Sequence, residues 1–510
     1  MDDRAASEQR VSLTPDRLSA LIDAAGAGLL ERDTAVRLSL LAALAGEHVL
    51  LIGPPGTAKS ALARRLHHAF ADARYFERLL TRFSTPEELF GPLSLKALEH
   101  DRYERLTAGF LPSAGIAFLD EVFKANSAIL NALLTLLNER LFDNGTERRA
   151  VPLVAVVGAS NEVPADEALH AFYDRFLVRV PVAPVGDEAF AALLALQDGD
   201  AAIDAASAGD AGNAVPGAPR SPAPITGAER AAVAAAAVRV ALGEPFVAAC
   251  TALRRRLAAR EQALSDRRWR QFVGLVQTAA ASEGRSQLDA LDLWLAPYVA
   301  SATPADVPAI AAWFDDEVLT LPPTEAPWLG HAVEAFEKQL GIEQRMPAEG
   351  SAFDSDAGAG KLAVARALGS AGGDGGAAGD HDDGASGRMQ RIVSARLEAR
   401  FAKKWSETHI EARVAQVAEI EAQVAAALDA ARAERQALES ALAARLWIAP
   451  SIAQRWVARH DAAQAMFASF AARLAAVRAG FAALPVDAGA TGEAPAPVAL
   501  EPAGAAVPVE

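Results

Sequence analysis

The apolar run Val49-Leu50-Leu51-Ile52 passes directly into Gly53-Pro54-Pro55-Gly56-Thr57-Ala58-Lys59-Ser60. A short, unbroken apolar run fits a strand buried on both faces of a parallel sheet. Gly53 and Gly56 leave room for backbone amides to wrap around an anion, and a helix opening at Lys59-Ser60 would aim its amino end at the same point. Strand, loop and helix in this order commit the chain to a layered α/β core. Lys59 is placed to reach the β- and γ-phosphates of a nucleotide, and the Ser60 hydroxyl to ligate Mg²⁺. The general pattern has glycine immediately before the lysine; this chain has Ala58, a small departure.

A second apolar run, Ile116-Ala117-Phe118-Leu119, ends in Asp120-Glu121. Asp120 at a strand end can hold the Mg²⁺ shell, and Glu121 can orient and polarise an attacking water. Phosphoryl transfer depends mainly on positioning and charge stabilisation, so two carboxylates beside a phosphate loop are suitable parts. A third run, Val154–Val157, leads to Gly158-Ala159-Ser160-Asn161. Asn161, at the end of an adjacent strand, is placed to touch the γ-phosphate or the water. The expected chemistry is binding of ATP with Mg²⁺ and its hydrolysis.

Composition narrows the alternatives. In 510 residues there are 49 Lys and Arg against 65 Asp and Glu, a formal charge of −16. That opposes non-specific binding to nucleic acid. The single cysteine, Cys250, lies in an apolar stretch and reads as a small core residue; it excludes an intrachain disulfide. No apolar stretch reads as long enough to span a bilayer, and the charged start Met1-Asp2-Asp3-Arg4 lacks an apolar signal core. The expectation is a cytoplasmic protein without a transmembrane segment.

Helical spacing over about 12–45, and strands alternating with helices to about 196, predict an αβα nucleotide-binding core over 12–196. Residues 197–227 are rich in Gly, Pro and Ala and read as a flexible insertion. Thr226 and Glu229 have capping-box spacing, which predicts a helix restart and an all-α segment over 228–340. A Gly/Asp-rich linker is expected over 347–388. The Ala-, Glu-, Arg- and Leu-rich stretch 389–484, turning near Pro450, predicts a helical hairpin or coiled-coil-like module. The tail 485–510 reads as disordered.

The segments 118–140 (Phe-Leu-Asp-Glu-Val-Phe-Lys-Ala-Asn-Ser-Ala-Ile-Leu-Asn-Ala-Leu-Leu-Thr-Leu-Leu-Asn-Glu-Arg) and 158–164 (Gly-Ala-Ser-Asn-Glu-Val-Pro) carry a resemblance. The chain over about 12–300 resembles an AAA+ ATPase of the MoxR family, closest to its regulatory ATPase variant A (RavA) branch. The resemblance implies an AAA+ core with a parallel sheet flanked by helices, an α-helical lid, and a ring, with a hexamer expected. It makes Asn161 the sensor-1 residue, Arg175 the arginine finger offered to a neighbouring subunit, and Arg267 the sensor-2 arginine, with Arg268 its rival. Residues 82–91 and 103–111 resemble the family's insertion in the second helix, and 141–146 its loop before sensor 1.

The family usually acts with a protein bearing a von Willebrand factor A domain, which the resemblance implies as a partner. RavA proteins also contact an inducible lysine decarboxylase through a compact domain; the corresponding stretch here, about 340–388, is short and Gly-rich, so that partner is not carried over. The leading expectation is a ring-forming ATPase that remodels or matures protein complexes. The alternatives are a nucleotide-gated adaptor with slow hydrolysis, a chelatase-like metal-insertion subunit, and a nucleic-acid motor, the last opposed by the acidic charge.

Overall fold

A computed structural model describes residues 13–164, 166–195, 222–319, 327–346, 403–487, 489 and 492–500. Contacts divide the chain into two compact units. The first comprises 1–320 with 438–456; the second comprises 321–437 with 457–510.

The first unit is built around a five-stranded parallel sheet, whose strands run side by side in the order Tyr75–Leu79, Ile116–Asp120, Ala155–Ser160, Val49–Ile52 and Val178–Pro181. The strands are β1 (Val49–Ile52), β2 (Tyr75–Leu79), β3 (Ile116–Asp120), β6 (Ala155–Ser160) and β7 (Val178–Pro181). β1, β3 and β6 are the three runs expected from sequence, and they are neighbours: Leu50 pairs with Gly158, and Phe118 with Val157. Helices α1 (Pro15–Gly26), α2 (Asp33–Ala45), α3 (Lys59–His68) and α6 (Ser127–Glu139) flank the sheet. One core collects Leu18, Leu40, Val49, Leu51, Phe118 and Val157, and a second collects Leu50, Phe90, Ala117, Ile129, Leu133, Val156 and Phe176. Alternate residues of one strand thus enter opposite layers, as a sheet covered on both faces requires.

The insertion expected within the second helix lies between β2 and β3. It carries two short helices, α4 (Pro86–Phe90) and α5 (Leu95–Leu98), and Phe83 stands 83% exposed at its start. The segment expected as the loop before sensor 1 is an antiparallel hairpin, β4 (Leu141–Asn144) with β5 (Glu147–Ala150), turning through Gly145 at φ 67°. Asn144 pins the two devices together: its Oδ1 accepts from Arg105 N at 2.6 Å, and its Nδ2 donates to Arg105 O at 3.1 Å.

Thr226 and Glu229 form a complete capping box at the helix Gly227–Ala237. That helix, with Glu244–Ala259 and Asp266–Ser282, builds the helical lid, where Trp294 is buried and Trp269 packs against the core. Cys250 is half-buried and burial pushes its thiol up to about 12, an unreactive state. The segment 438–456 belongs to this unit. Trp447 Nε1 donates to Ser282 Oγ at 2.9 Å, Trp456 Nε1 donates to Asp315 Oδ1 at 2.7 Å, and Arg445 pairs with Asp289 at 2.5 Å.

In the second unit, helix Pro327–Arg345 packs with parts of Glu407–Ala443 and Pro450–Ala482 through Ala332, Val333, Phe336, Val417, Val424, Phe467, Leu474 and Phe481. The sequence boundary at 340 is therefore corrected: that helix shares its apolar face with the C-terminal helices. Buried Glu343 accepts from Arg413 Nε at 2.9 Å and contacts His409 Nε2 at 3.0 Å. The expected disordered tail is also corrected over its described residues up to 500: Trp405 N donates to Pro485 O at 2.8 Å, Asp487 N donates to Trp405 O at 2.9 Å, and Arg413 donates to Ala496 O at 2.9 Å. The expected insertion up to residue 221, the linker 347–388 and the tail beyond 500 lie outside the described residues.

The absence of a span-length apolar stretch is corrected too. Helix Pro450–Ala482 is long and apolar enough by composition to cross a membrane. One of its faces, with Phe467, Leu474, Val477 and Phe481, is spent on the second unit's own core.

Candidate functional site

The carboxyl ends of three adjacent strands converge. The loop 53–58 leaves β1, Asp120 closes β3, and Asn161 follows β6. Ligands of open parallel sheets bind at this edge.

The loop's shape is imposed by its surroundings. Gly53 N donates to Ser160 O at 3.0 Å, and a Cβ at Gly53 would lie 1.9 Å from the Val182 carbonyl oxygen, so only glycine fits. Gly56 sits at φ 78°. Ala58 sits at φ 62°, a left-handed conformation that costs a residue with a Cβ about 1–2 kcal/mol. This is the position where the general pattern has glycine, so the departure seen in sequence is a strained residue in the fold. Thr57 Oγ1 donates to Pro54 O at 2.9 Å and closes the loop on itself. Pro54 and Pro55 form the exposed outer rim.

Lys59 and Ser60 open α3. The Lys59 ammonium donates to the Gly53 and Pro54 carbonyls, each at 2.8 Å, so it caps the loop mouth. Burial pushes its pKa down, and the nearby Asp120 and Glu121 carboxylates oppose that. Asp120 Oδ1 accepts from Glu121 N at 3.0 Å. Glu121 is held at φ 52°, a left-handed turn that swings its carboxylate away from the strand line. Asn161 Nδ2 donates to Glu121 Oε1 at 2.5 Å, and Lys124 Nζ lies 3.3 Å from Glu121 Oε2.

Ser60 Oγ and Asp120 supply hard oxygen donors, one neutral and one anionic. Few protein oxygens, with phosphate and water completing an octahedron, is the donor set Mg²⁺ favours. Among the described residues no cluster of three His, Cys, Asp or Glu forms an all-protein metal cage.

Arg175 and Arg267 lie elsewhere. Arg175 precedes β7, whose first residue, Val178, donates its N–H to His48 O ahead of β1. Arg267 Nη2 donates to Asn138 Oδ1 at 3.1 Å, near the end of α6. Both are at the amino-end edge of the sheet. A strand the length of β1 separates that edge from the phosphate loop by about 10 Å. Neither residue sits in the chain at the edge where the loop, Asp120, Glu121 and Asn161 meet. The Nε of Arg175 is buried without a hydrogen-bond partner.

Arg268 is a brace. Only 2% exposed, it donates to Val299 O at 2.9 Å, Leu177 O at 2.8 Å and Asp174 Oδ1 at 3.1 Å. Burial, with Arg179 beside it, pushes its pKa down to about 9.

Sequence reading missed Arg32, which is 6% exposed and donates to Thr57 O in the loop at 3.1 Å. In Glu31-Arg32-Asp33 it reads as an ordinary charged residue before a helix, and no local signal sets it apart.

A strand–loop–helix phosphate cradle, carboxylates on the neighbouring strand and a helical lid define the AAA+ class of P-loop proteins. Residues 16–207 match the family model described as the MoxR domain in the MoxR-vWA-beta-propeller ternary systems, and residues 246–314 match an AAA lid domain. Residues 16–207 thus resemble a MoxR domain and residues 246–314 an AAA lid, in that order along the chain.

Two uncharacterized proteins of Methanocaldococcus jannaschii are each 55% identical over 151 residues, covering 29% of this chain and 40% of theirs. A structural protein of Acidianus two-tailed virus is 32% identical over 166 residues, covering 31% of this chain and 26% of its own. The chain thus spans well under half the length of the curated relatives it matches. A solved structure of a candidate ATPase from Cytophaga hutchinsonii is 16% identical, with a TM-score of 0.42 over 58% of this chain and 85% of that one. That likeness is too low to bear on fold or function.

Proposed function

We propose that this chain hydrolyses ATP with Mg²⁺ as a ring-forming MoxR-type ATPase and uses the cycle to remodel or mature protein complexes in the cytoplasm. The observation that carries the reading is the meeting of Lys59, Asp120, Glu121 and Asn161 at one sheet edge, with Asn161 bonded to Glu121. The loop amides of 53–60 bind the phosphates, and Lys59 exchanges its two loop carbonyls for β- and γ-phosphate oxygens. Mg²⁺, held by Ser60 and Asp120, offsets phosphate charge when bound. Glu121 polarises the attacking water, and Asn161 holds Glu121 in line. In this reading 12–196 is the nucleotide-binding core and the lid begins at 228.

Arg175 and Arg267 stand at the amino-end edge of the sheet, opposite their own loop, a placement that favours service to a neighbouring copy's nucleotide. A guanidinium supplied in trans accelerates phosphoryl transfer by on the order of 10³–10⁵. A closed ring, with a hexamer as the family expectation, lets every copy both give and receive one. The matched family model comes from systems containing vWA proteins, which supports a von Willebrand factor A domain partner. The likeness of 118–140 and 158–164 to the RavA branch is kept as a finer assignment within this reading.

The test is nucleotide binding and phosphate release by the full chain against Lys59→Ala. Tight binding and turnover in the former, with both lost in a folded Lys59→Ala, are expected. Equal behaviour of the two proteins would sink the reading.

A further inference from the structure

Arg32 is held in a way the proposed chemistry does not explain. Its guanidinium donates to three backbone carbonyls: Thr57 at 3.1 Å, Glu31 at 3.0 Å and Ala183 at 2.7 Å. Among the described residues no carboxylate forms an ion pair with it, although it is 6% exposed. A buried cation bound only to carbonyls is an expensive arrangement. Ala183 follows β7 and Glu31 precedes α2, so one side chain ties both segments to the loop.

The tie to Thr57 has a directional consequence. In a trans peptide the carbonyl of one residue and the N–H of the next point in opposite directions. Among the described residues no peptide is cis. Drawing the Thr57 carbonyl back toward Arg32 therefore turns the Ala58 N–H the other way, out of the loop floor. Ala58 is also the residue at φ 62°, where a glycine would sit without strain. Arg32 supplies the restraint that holds an alanine there.

We propose that Arg32 is a positioning residue for polyphosphate. It aims the Ala58 N–H at a bound phosphate and sets a permanent positive charge behind the loop. The role rests on the ATP reading of the site. Arg32 does not touch the substrate; it acts through the peptide between Thr57 and Ala58. A lysine keeps the charge but cannot span three carbonyls with a rigid planar fork.

The experiment measures MgADP affinity by calorimetry, and KM and kcat for ATP, in Arg32→Gln, Arg32→Lys, Ala58→Gly and the double variant Arg32→Gln with Ala58→Gly. Melting temperatures confirm folding. Arg32→Gln is expected to weaken MgADP by about tenfold, the equivalent of one or two charged hydrogen bonds, with the change mainly in KM. Arg32→Lys falls between. Ala58→Gly in the Arg32→Gln background recovers part of the loss, because glycine reaches the left-handed conformation unaided.

Unchanged MgADP affinity in folded Arg32→Gln overturns the role. So does a loss that Ala58→Gly leaves whole, since Arg32 would then act as a general brace. If Arg32→Gln does not fold, wild-type KM in Arg32→Lys overturns the directional part. Should the unsubstituted chain bind no nucleotide, the ATP reading itself fails and the role goes with it; failure of the role alone leaves wild-type binding intact.

Discussion

The amide of Asn161 donates to the carboxylate of Glu121 at 2.5 Å, joining the end of β6 to the residue after β3. The two are 40 positions apart in sequence. The sheet order brings them together, because β3 and β6 are hydrogen-bonded neighbours. The bond fixes the carboxylate's direction before any water arrives, and positioning of that kind is most of what phosphoryl transfer asks of a protein.

Glu121→Gln should keep nucleotide affinity and lose turnover by about 10²–10⁴, the range of a general base. Asn161→Ala should retain binding and lose less, since Glu121 remains but is freer to rotate. Phosphate release alongside fluorescent-ADP binding checks both. Turnover near wild type in Glu121→Gln would remove Glu121 from the mechanism.

Ala58→Gly should stabilise the folded chain by up to about 1 kcal/mol, less the entropy a glycine loses on folding. Gly53→Ala should do the reverse and abolish binding, because the new Cβ would sit 1.9 Å from Val182 O. Urea unfolding with and without MgADP measures both.

Arg175→Ala should leave one subunit's affinity intact and remove any rise of specific activity with protein concentration. Mixing it with Glu121→Gln should restore part of the turnover, since some interfaces then pair an intact Glu121 with an intact Arg175. Arg267→Ala should behave similarly, whereas Arg268→Met should cost stability through the loss of its bonds to the Val299 and Leu177 carbonyls and the Asp174 carboxylate. No recovery on mixing would argue that Arg175 acts within its own chain or not at all.

His48 and Glu47 predict a hidden acid sensitivity. His48 accepts from Val156 N at 3.1 Å and lies 3.2 Å from Leu137 O, and burial pushes its pKa down to about 4. The unfolded chain protonates there first, so His48 contributes stability above its ordinary value of 6.5 and loses it as pH falls toward 4, up to about 3 kcal/mol. Glu47 runs the other way. Burial raises it to about 7, so the folded form holds a proton the unfolded form releases, and stability rises as pH falls from 7 toward 4.5. The two slopes oppose each other over that window. Glu47→Gln removes one of them, so the variant should lose stability on acidification between pH 6.5 and 4.5 more steeply than wild type. Parallel pH–stability curves would refute the pairing.

The local parts of the site were legible in the chain. Val49–Ile52 and Ile116–Leu119 are unbroken apolar runs because their strands are covered on both faces, and each ends where the chain changes character, into the Gly/Pro loop in one case and into Asp120-Glu121 in the other. Thr226 and Glu229 announced a cap because a capping box is made within four consecutive residues. β2 was not legible: at the sheet edge its Tyr75-Phe76-Glu77-Arg78-Leu79 alternates burial with charge and carries no apolar run. β7, another edge strand, was missed as well.

The chain by itself determined which residues could hold phosphate, metal and water, since loop, lysine and serine are contiguous over 53–60 and Asp120, Glu121 and Asn161 each follow an apolar run. Only tertiary structure decided the rest. It set Arg175 and Arg267 on the far edge of the sheet, made Arg268 a brace, and placed Arg32 beneath the loop. Those roles arise from contacts between segments distant in sequence, and an arginine's local surroundings do not record which carbonyls it will meet once the sheet has closed.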